Sequence, residues 1–219
     1  MKLDPPLSGE ENMQRDEETL QKLREPGSLP VLRLFQWAEP TVSFGRLQSR
    51  ETAESFARDV NADFVVRRPT GGGLVFHRGD VSFSLGWRRD FTGIPHRPRE
   101  AYEWIHGFLA ETLHRLGFSV SLFRGEDASA FACFSPNGGV SGDVFWNGKK
   151  VVGGALRVTS WGRLYQGDVR TEEMGIRPAD FSERLNEVFS EMSRLCVVQN
   201  LPKGLNGVHS SWANPLAVQ

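Results

Sequence analysis

Short apolar runs broken by polar residues recur along this chain, and their spacing predicts more strands than helices. Val31 to Trp37, Phe64 to Val66 and Val81 to Leu85 read as strands. Leu74-Val75-Phe76 is a further strand-like run. Val144-Phe145-Trp146 is another, and it meets Asn147-Gly148, the dipeptide most typical of a type I′ hairpin turn, after which a second β-like run begins. Helical spacing is clearest in two places. Tyr102, Ile105, Leu109, Leu113 and Leu116 share one face, with Gly117 suited to the C-terminal stop, and Phe181, Leu185, Val188, Phe189, Met192 and Leu195 mark a second helix. Asp16 to Arg24 predicts a short helix punctuated by Pro26-Gly27, after a polar opening that is loose through Pro5-Pro6. With no internal repeat or low-complexity linker, the expected fold is a mixed α/β sheet flanked by helices.

Composition narrows this picture. A chain of 219 residues with 39% hydrophobic content can bury one substantial core, so one domain is expected. A formal net charge of -1 gives no global electrostatic reason to expect a nucleic acid partner. Cys133 and Cys196 are too few for a disulfide framework, and no Cys/His cluster has zinc-ligand spacing, so a reducing compartment and no metal site are expected. No long apolar stretch or signal-peptide pattern occurs, which makes a membrane partner unexpected and the cytoplasm the simplest location.

Two segments carry chemistry. Arg67-Arg68-Pro69-Thr70-Gly71-Gly72-Gly73-Leu74-Val75-Phe76-His77 sets a triple glycine between two arginines and a histidine. Without Cβ atoms such a loop can take positive φ and bring its N–H groups close to a ligand, typically phosphate oxygens. The plain alternative is a glycine-rich turn with surface arginines. A P-loop is excluded, because no Gly-Lys-Ser/Thr and no following helix pattern appear. In the second segment, Asn147-Gly148-Lys149-Lys150-Val151-Val152-Gly153-Gly154-Ala155, two lysines open a strand of small residues. Paired glycines weaken a strand interior and make sense where a backbone or ligand packs close. A lysine there can offer a compact positive charge, although paired lysines are usually a solvated hairpin tip.

Together these segments resemble the lipoate-protein ligase and octanoyltransferase family, whose pattern is Arg-Arg-x-Ser/Thr-Gly-Gly-Gly-x-Val-x-His followed much later by Gly-x-Lys-x-x-Gly-x-Ala. Glu11 to Glu17, Pro40 to Gln48 and Asp143 extend the resemblance, which covers roughly Glu10 to Arg170 in consistent order. It implies a single-domain α/β fold with a mixed, largely antiparallel sheet flanked by helices, related to biotin ligase catalytic domains and class II aminoacyl-tRNA synthetases. The expected organisation is a loose segment over 1–9, a catalytic domain over 10–200 and a tail over 201–219.

The resemblance also implies transfer of lipoyl or octanoyl to a lysine on a lipoyl domain of a 2-oxoacid dehydrogenase complex or on a glycine-cleavage H-type protein. In a ligase route, ATP and Mg²⁺ activate lipoate as an acyl-adenylate. In a transferase route, which needs no cofactor, an enzyme cysteine takes octanoyl from acyl carrier protein as a thioester. For the ligase, Gly71, Gly72 and Gly73 would lie against the acyl-phosphate junction, Arg68 would face phosphate, and Lys150 would neutralise developing charge while Lys149 stays solvated. Asp143 would help position the nucleotide or Mg²⁺, His77 would order the loop or acyl tail, Arg46 and Gln48 would add a polar wall, and Gly153, Gly154 and Ala155 would line the site. For the transferase, Cys133 in Cys133-Phe134-Ser135-Pro136 resembles the family's nucleophile, beside the equally open reading of a packed thiol.

Two departures bear on both routes. Ligases often carry a further C-terminal domain, whereas only a short stretch follows the helix ending near Cys196. Asp168, in Tyr165-Gln166-Gly167-Asp168, stands where the family commonly has Ser or Thr, and a carboxylate would oppose an anionic intermediate unless it faces away or holds a cation. The triple glycine makes the ligase the expected activity, with the octanoyltransferase second and a non-catalytic acyl- or nucleotide-binding paralogue third. Biotin transfer would need a different glycine loop.

Overall fold

The computed structural model describes residues 3–128, 131–136 and 138–199. In chain order its elements are α1 (Gly9–Lys22), β1 (Val31–Phe35), β2 (Thr41–Phe44), α2 (Arg50–Asp59), β3 (Phe64–Arg67), β4 (Val75–His77), β5 (Val81–Arg88), α3 (Pro98–Arg115), β6 (Val120–Leu122), β7 (Val144–Trp146), β8 (Lys149–Val158), β9 (Gly162–Val169) and α4 (Pro178–Gln199). Six strands make the main sheet in the order β1-β5-β9-β8-β7-β6, with every neighbouring pair antiparallel. A smaller sheet has the order β3-β2-β4, with β2 parallel to β3 and antiparallel to β4. The expected mixed, largely antiparallel α/β architecture is therefore the one that forms.

The period-2 alternation of β5 explains the layering. Val81, Phe83, Leu85 and Trp87 join the main core with Ile105, Leu109 and Leu113 of α3 and Phe181 and Leu185 of α4. Ser82 and Ser84, on the opposite side of the strand, are buried as well. That side is covered by α1, which packs on β5, β9 and β3. In β9 the same alternation sends Tyr165 and Val169 to the main core, while Leu164 meets Leu20 and Leu23 of α1.

Most predicted elements form near their expected places, with instructive exceptions. The first helix starts at Gly9 instead of Asp16, because Ser8 caps it: its side chain accepts from the Glu11 N–H while the Glu11 carboxylate returns to the Ser8 backbone. Leu3 and Leu7, ahead of that helix, make isolated bridges to Leu34 and Trp37. The pattern did not predict β2, α2, β6 or β9. Of these, β9 is buried along nearly its whole length between β5 and β8, so its polar residues gave no alternation to read. The tail over 201–219 and the side chains of Met192, Leu195 and Cys196 lie outside the described residues. Among the described residues no helix is long and apolar enough to cross a membrane, and no three His, Cys, Asp or Glu side chains cluster as metal ligands.

Candidate active site

A cavity of about 170 Å³ is lined by both sheets, by α1, and by Ala128, Ala132, Cys133 and Gly138 to Val140. Ten of the residues singled out in the sequence meet on its wall: Arg68, Gly72, Gly73, His77, Cys133, Lys150, Gly153, Gly154, Ala155 and Asp168. Gly71, Arg46 and Asp143 are not among the lining residues. Met13, Phe35, Trp37 and Val75 give the cavity an apolar side.

The glycine loop connects β3 to β4, which do not pair with each other but flank β2. The chain must therefore cross the end of β2, and it does so in close contact. A Cβ on Gly45, just past β2, would stand 2.3 Å from the Gly72 carbonyl oxygen, and Gly72 has φ +87°. The Arg46 N–H donates to the Thr70 carbonyl at 2.8 Å, and exposed Arg67 donates to the Arg46 and Gln48 carbonyls. Arg68 holds the loop from inside. Its Nη2 donates to the carbonyls of Gly71 (3.0 Å) and Gly73 (2.7 Å), and its Nη1 to Ser43 Oγ (2.6 Å). Burial pushes this guanidinium down to about 10. The resemblance had Arg68 facing phosphate; in the fold its donors meet the protein itself.

His77 is buried between a stacked Trp37 ring, 3.9 Å away between centroids, and two polar partners. Its Nε2 lies 2.6 Å from Ser43 Oγ and its Nδ1 3.2 Å from Asp168 Oδ1. Burial lowers the imidazole from its ordinary value, with Asp168 pulling the other way. Burial also works against ionisation of Asp168, but His77, Arg170 and the Ser82 hydroxyl together hold its carboxyl below the usual range. Ser82 donates to Asp168 Oδ1 at 2.5 Å while accepting from Trp37 Nε1 at 2.8 Å. The departure at Asp168 is thus a buried anion matched by His77 and by Arg170, 3.7 Å away.

Cys133 reaches the cavity on a segment pinned beside the loop. Its N–H donates to the Leu74 carbonyl at 2.8 Å, and the Leu74 N–H to Phe131 at 3.0 Å. The next residue, Phe134, lies under the guanidinium of Arg170, 3.9 Å from its ring centroid. Lys150, on β8, forms a buried pair with Asp143, Nζ to Oδ2 2.8 Å. Asp143 also accepts from Tyr102 Oη at Oδ1 (2.6 Å) and from the Val140 N–H at Oδ2 (2.8 Å). Lys149 points outward to Glu173, as a hairpin-tip lysine should. The glycines of β8 make this arrangement possible: a Cβ on Gly153 would stand 2.8 Å from Cys133 Sγ and 2.9 Å from Lys150 Nζ.

Three polar residues of the site were not read from the sequence. Gln166 accepts from the Thr70 hydroxyl at 2.6 Å and donates to Asp16 Oδ2 at 2.6 Å, tying the glycine loop to α1. Ser43 and Ser82 link His77, Arg68 and Asp168. The usable signal was the strict alternation Val-Ser-Phe-Ser-Leu, which turns Ser82 and Ser84 away from the core. Among the tryptophans, Trp37 lines the cavity, Trp87 lies in the main core with Trp146 packed against it, and Trp161 packs on Leu20, Leu23 and Leu164.

Comparison with known proteins gives a consistent result. Residues 8–172 match the Lipoyl protein ligase A/B catalytic domain family. The octanoyltransferase LipM of Kyrpidia tusciae is 33% identical over 135 residues, 58% of this chain and 48% of the relative. LipM of Carboxydothermus hydrogenoformans is 32% identical over 152 residues, 68% of this chain and 56% of the relative. The chain spans about half the length of these curated relatives. Among solved structures, a lipoate-protein ligase A bound with ATP is similar with a TM-score of 0.67 at 18% identity, over 89% of this chain and 84% of that one. The bi-partite lipoate protein ligase of Thermoplasma acidophilum, studied with its E2 lipoyl domain, is similar with a TM-score of 0.61 at 18% identity, over 88% and 83%. At that identity the structural likeness shows the fold alone.

Proposed function

Because the chain belongs to the Lipoyl protein ligase A/B catalytic domain family, we propose that it is an octanoyltransferase that moves the acyl group from a carrier-protein thioester to a lysine of a lipoyl domain, using Cys133 as nucleophile. One observation carries the reading: the Cys133 sulfur and the Lys150 ammonium both lie within 3 Å of the point where a Gly153 Cβ would stand, on the wall of a largely apolar cavity. The LipM relatives support it, and they shift the expected balance from ligase to transferase.

In the first half-reaction the Cys133 thiolate attacks the octanoyl thioester carbonyl. A bond forms from Sγ to the carbonyl carbon, the carbonyl oxygen carries the negative charge, and the carrier thiolate leaves. In the second, the neutral lysine amine of the lipoyl domain attacks the octanoyl-Cys133 thioester, the amide forms, Cys133 thiolate departs and the amine proton goes to solvent. Lys150 supplies fixed positive charge where the oxygen and sulfur become negative, and Asp143 holds Lys150 in place. The apolar side formed by Met13, Phe35, Trp37 and Val75 suits the hydrocarbon tail.

The ligase route would need Mg²⁺ and ATP. Asp143, the acid implied for that role, has Oδ1 on Tyr102 and Oδ2 on Lys150 and Val140, which leaves it a poor ligand for magnesium. The test is intact-mass spectrometry of a lipoyl domain incubated with this protein and either octanoyl-acyl carrier protein or lipoate with Mg-ATP. The proposal expects an octanoyl gain from the carrier alone and a hydroxylamine-labile adduct on the protein that Cys133→Ala abolishes. A gain only with ATP would establish the ligase instead.

A further inference from the structure

We propose that Asp168 is a positioning residue which, through His77 and Ser43, orients Arg68 and so sets the shape of the glycine loop. Asp168 and Gly153 are paired across β9 and β8, so this carboxylate stands beside the strand that carries Lys150. From it a line of contacts runs through Nδ1 and Nε2 of His77 to Ser43 Oγ, to Arg68 Nη1, and from Arg68 Nη2 to the carbonyls of Gly71 and Gly73.

Donor and acceptor inventories fix the direction of every link. An ionised carboxylate only accepts, so His77 Nδ1 carries the proton and donates to Asp168. Arg68 only donates, so Ser43 Oγ accepts from it. The Ser43 hydroxyl proton then has one acceptor in reach, the lone pair of His77 Nε2 at 2.6 Å. The opposite imidazole tautomer would set two lone pairs, Nδ1 and the carboxylate, against each other and would point Nε2–H at a hydroxyl whose own proton has lost its partner. All four side chains are buried, so a reversed link sets mismatched donors and acceptors against each other inside the fold. Ser82, donating to Asp168 and accepting from Trp37, braces the far end.

Asp168→Asn tests the direction of the line. Arg170 lies 3.7 Å from Oδ2, so an amide at this position turns its oxygen toward that cation and its NH₂ toward Nδ1 and Ser82 Oγ, which then accepts instead of donating, and the proton of His77 moves to Nε2. Nitrogen chemical shifts of His77 in the full chain should report the Nδ1–H tautomer in the native protein and Nε2–H in the variant. The Gly71 to Gly73 amide resonances should shift, and Ser43→Ala should shift them in the same way while leaving His77 as Nδ1–H. These readings do not depend on the donor. Octanoyl transfer, which rests on the function proposed above, should fall about tenfold or more in each single variant, and the double variant should be no slower than the slower single one.

Nε2–H in the native protein overturns the proposal. So does Ser43→Ala with unchanged loop resonances, a result that stands even if Asp168→Asn fails to fold, or losses that multiply in the double variant. Native protein that transfers no octanoyl yet shows the tautomers and loop shifts would sink the proposed function and leave the positioning line intact.

Discussion

Gly153 leaves room for the thiol of Cys133: a Cβ there would stand 2.8 Å from Sγ and 2.5 Å from Lys150 Cε. Both belong to side chains, so Gly153→Ala should be accommodated by moving Cys133 and Lys150, with the backbone undisturbed. Misplacement by about an ångström costs on the order of a hundredfold in rate. Acyl transfer should therefore fall by about that factor while the thermal midpoint changes little; a normal rate would remove these two side chains from the reaction.

Gly154 differs from its neighbour. Its Cβ would meet Tyr165 Oη at 2.0 Å and the Gln166 carbonyl at 2.7 Å, and the Tyr165 hydroxyl is anchored to His106 at 2.5 Å. Gly154→Ala should lower stability by about 1–3 kcal/mol through overpacking. Urea unfolding measures it, and a loss within error would mean that the sheet opens at this point.

The three loop glycines are not equivalent. A Cβ on Gly71 meets nothing within 4 Å, whereas Gly72 has φ +87° and a Cβ there would lie 3.2 Å from the Ala155 Cβ. Gly71→Ala should fall within about 0.5 kcal/mol of the native protein and Gly72→Ala should cost about 1–2 kcal/mol. Equal losses at both positions would contradict this loop conformation.

Breaking the Lys150–Asp143 pair should be expensive, because both side chains are buried. Asp143→Ala strands the ammonium and should cost about 3–5 kcal/mol. It should also slow transfer, since Lys150 loses the partner that holds it. Chemical denaturation and the transfer assay check the two effects separately.

Asp80 should make stability depend on pH. Burial first, then the charge of Asp168, raise its carboxyl from 3.8 to about 7, against the pull of Arg170 2.6 Å away. A carboxyl that binds its proton more tightly when folded stabilises the fold below its unfolded value, and that contribution is lost as pH rises through about 7. The stability difference between native protein and Asp80→Asn should therefore shift against the native protein from about pH 4 to about pH 8. A difference constant with pH would show that Asp80 stays ionised throughout.

Much of the fold was legible in the chain. The spacing of Ile105, Leu109 and Leu113 gives α3, and Asn147-Gly148 gives the turn between β7 and β8, with both residues at positive φ. The Ser8 to Glu11 capping box could have moved the start of α1 to Gly9. By contrast, β9 is a central strand whose Gln166 and Asp168 look like surface residues until a second layer covers them.

The sequence by itself determined which residues stand as candidates for the chemistry, because the triple glycine, the hairpin lysine and the cysteine are local choices of residue type. Tertiary structure alone decided what those residues do to one another. Cys133 and Lys150 are brought together only because two backbone hydrogen bonds lay the cysteine segment along Leu74 and because β8 is glycine at 153. Arg68 turns from a free cation into the clasp of its own loop only because Ser43, His77 and Asp168, from three other strands or strand ends, converge on it. Hydrogen bonds and close contacts act over a few ångströms, and no pattern along the chain records which distant residues will come that near.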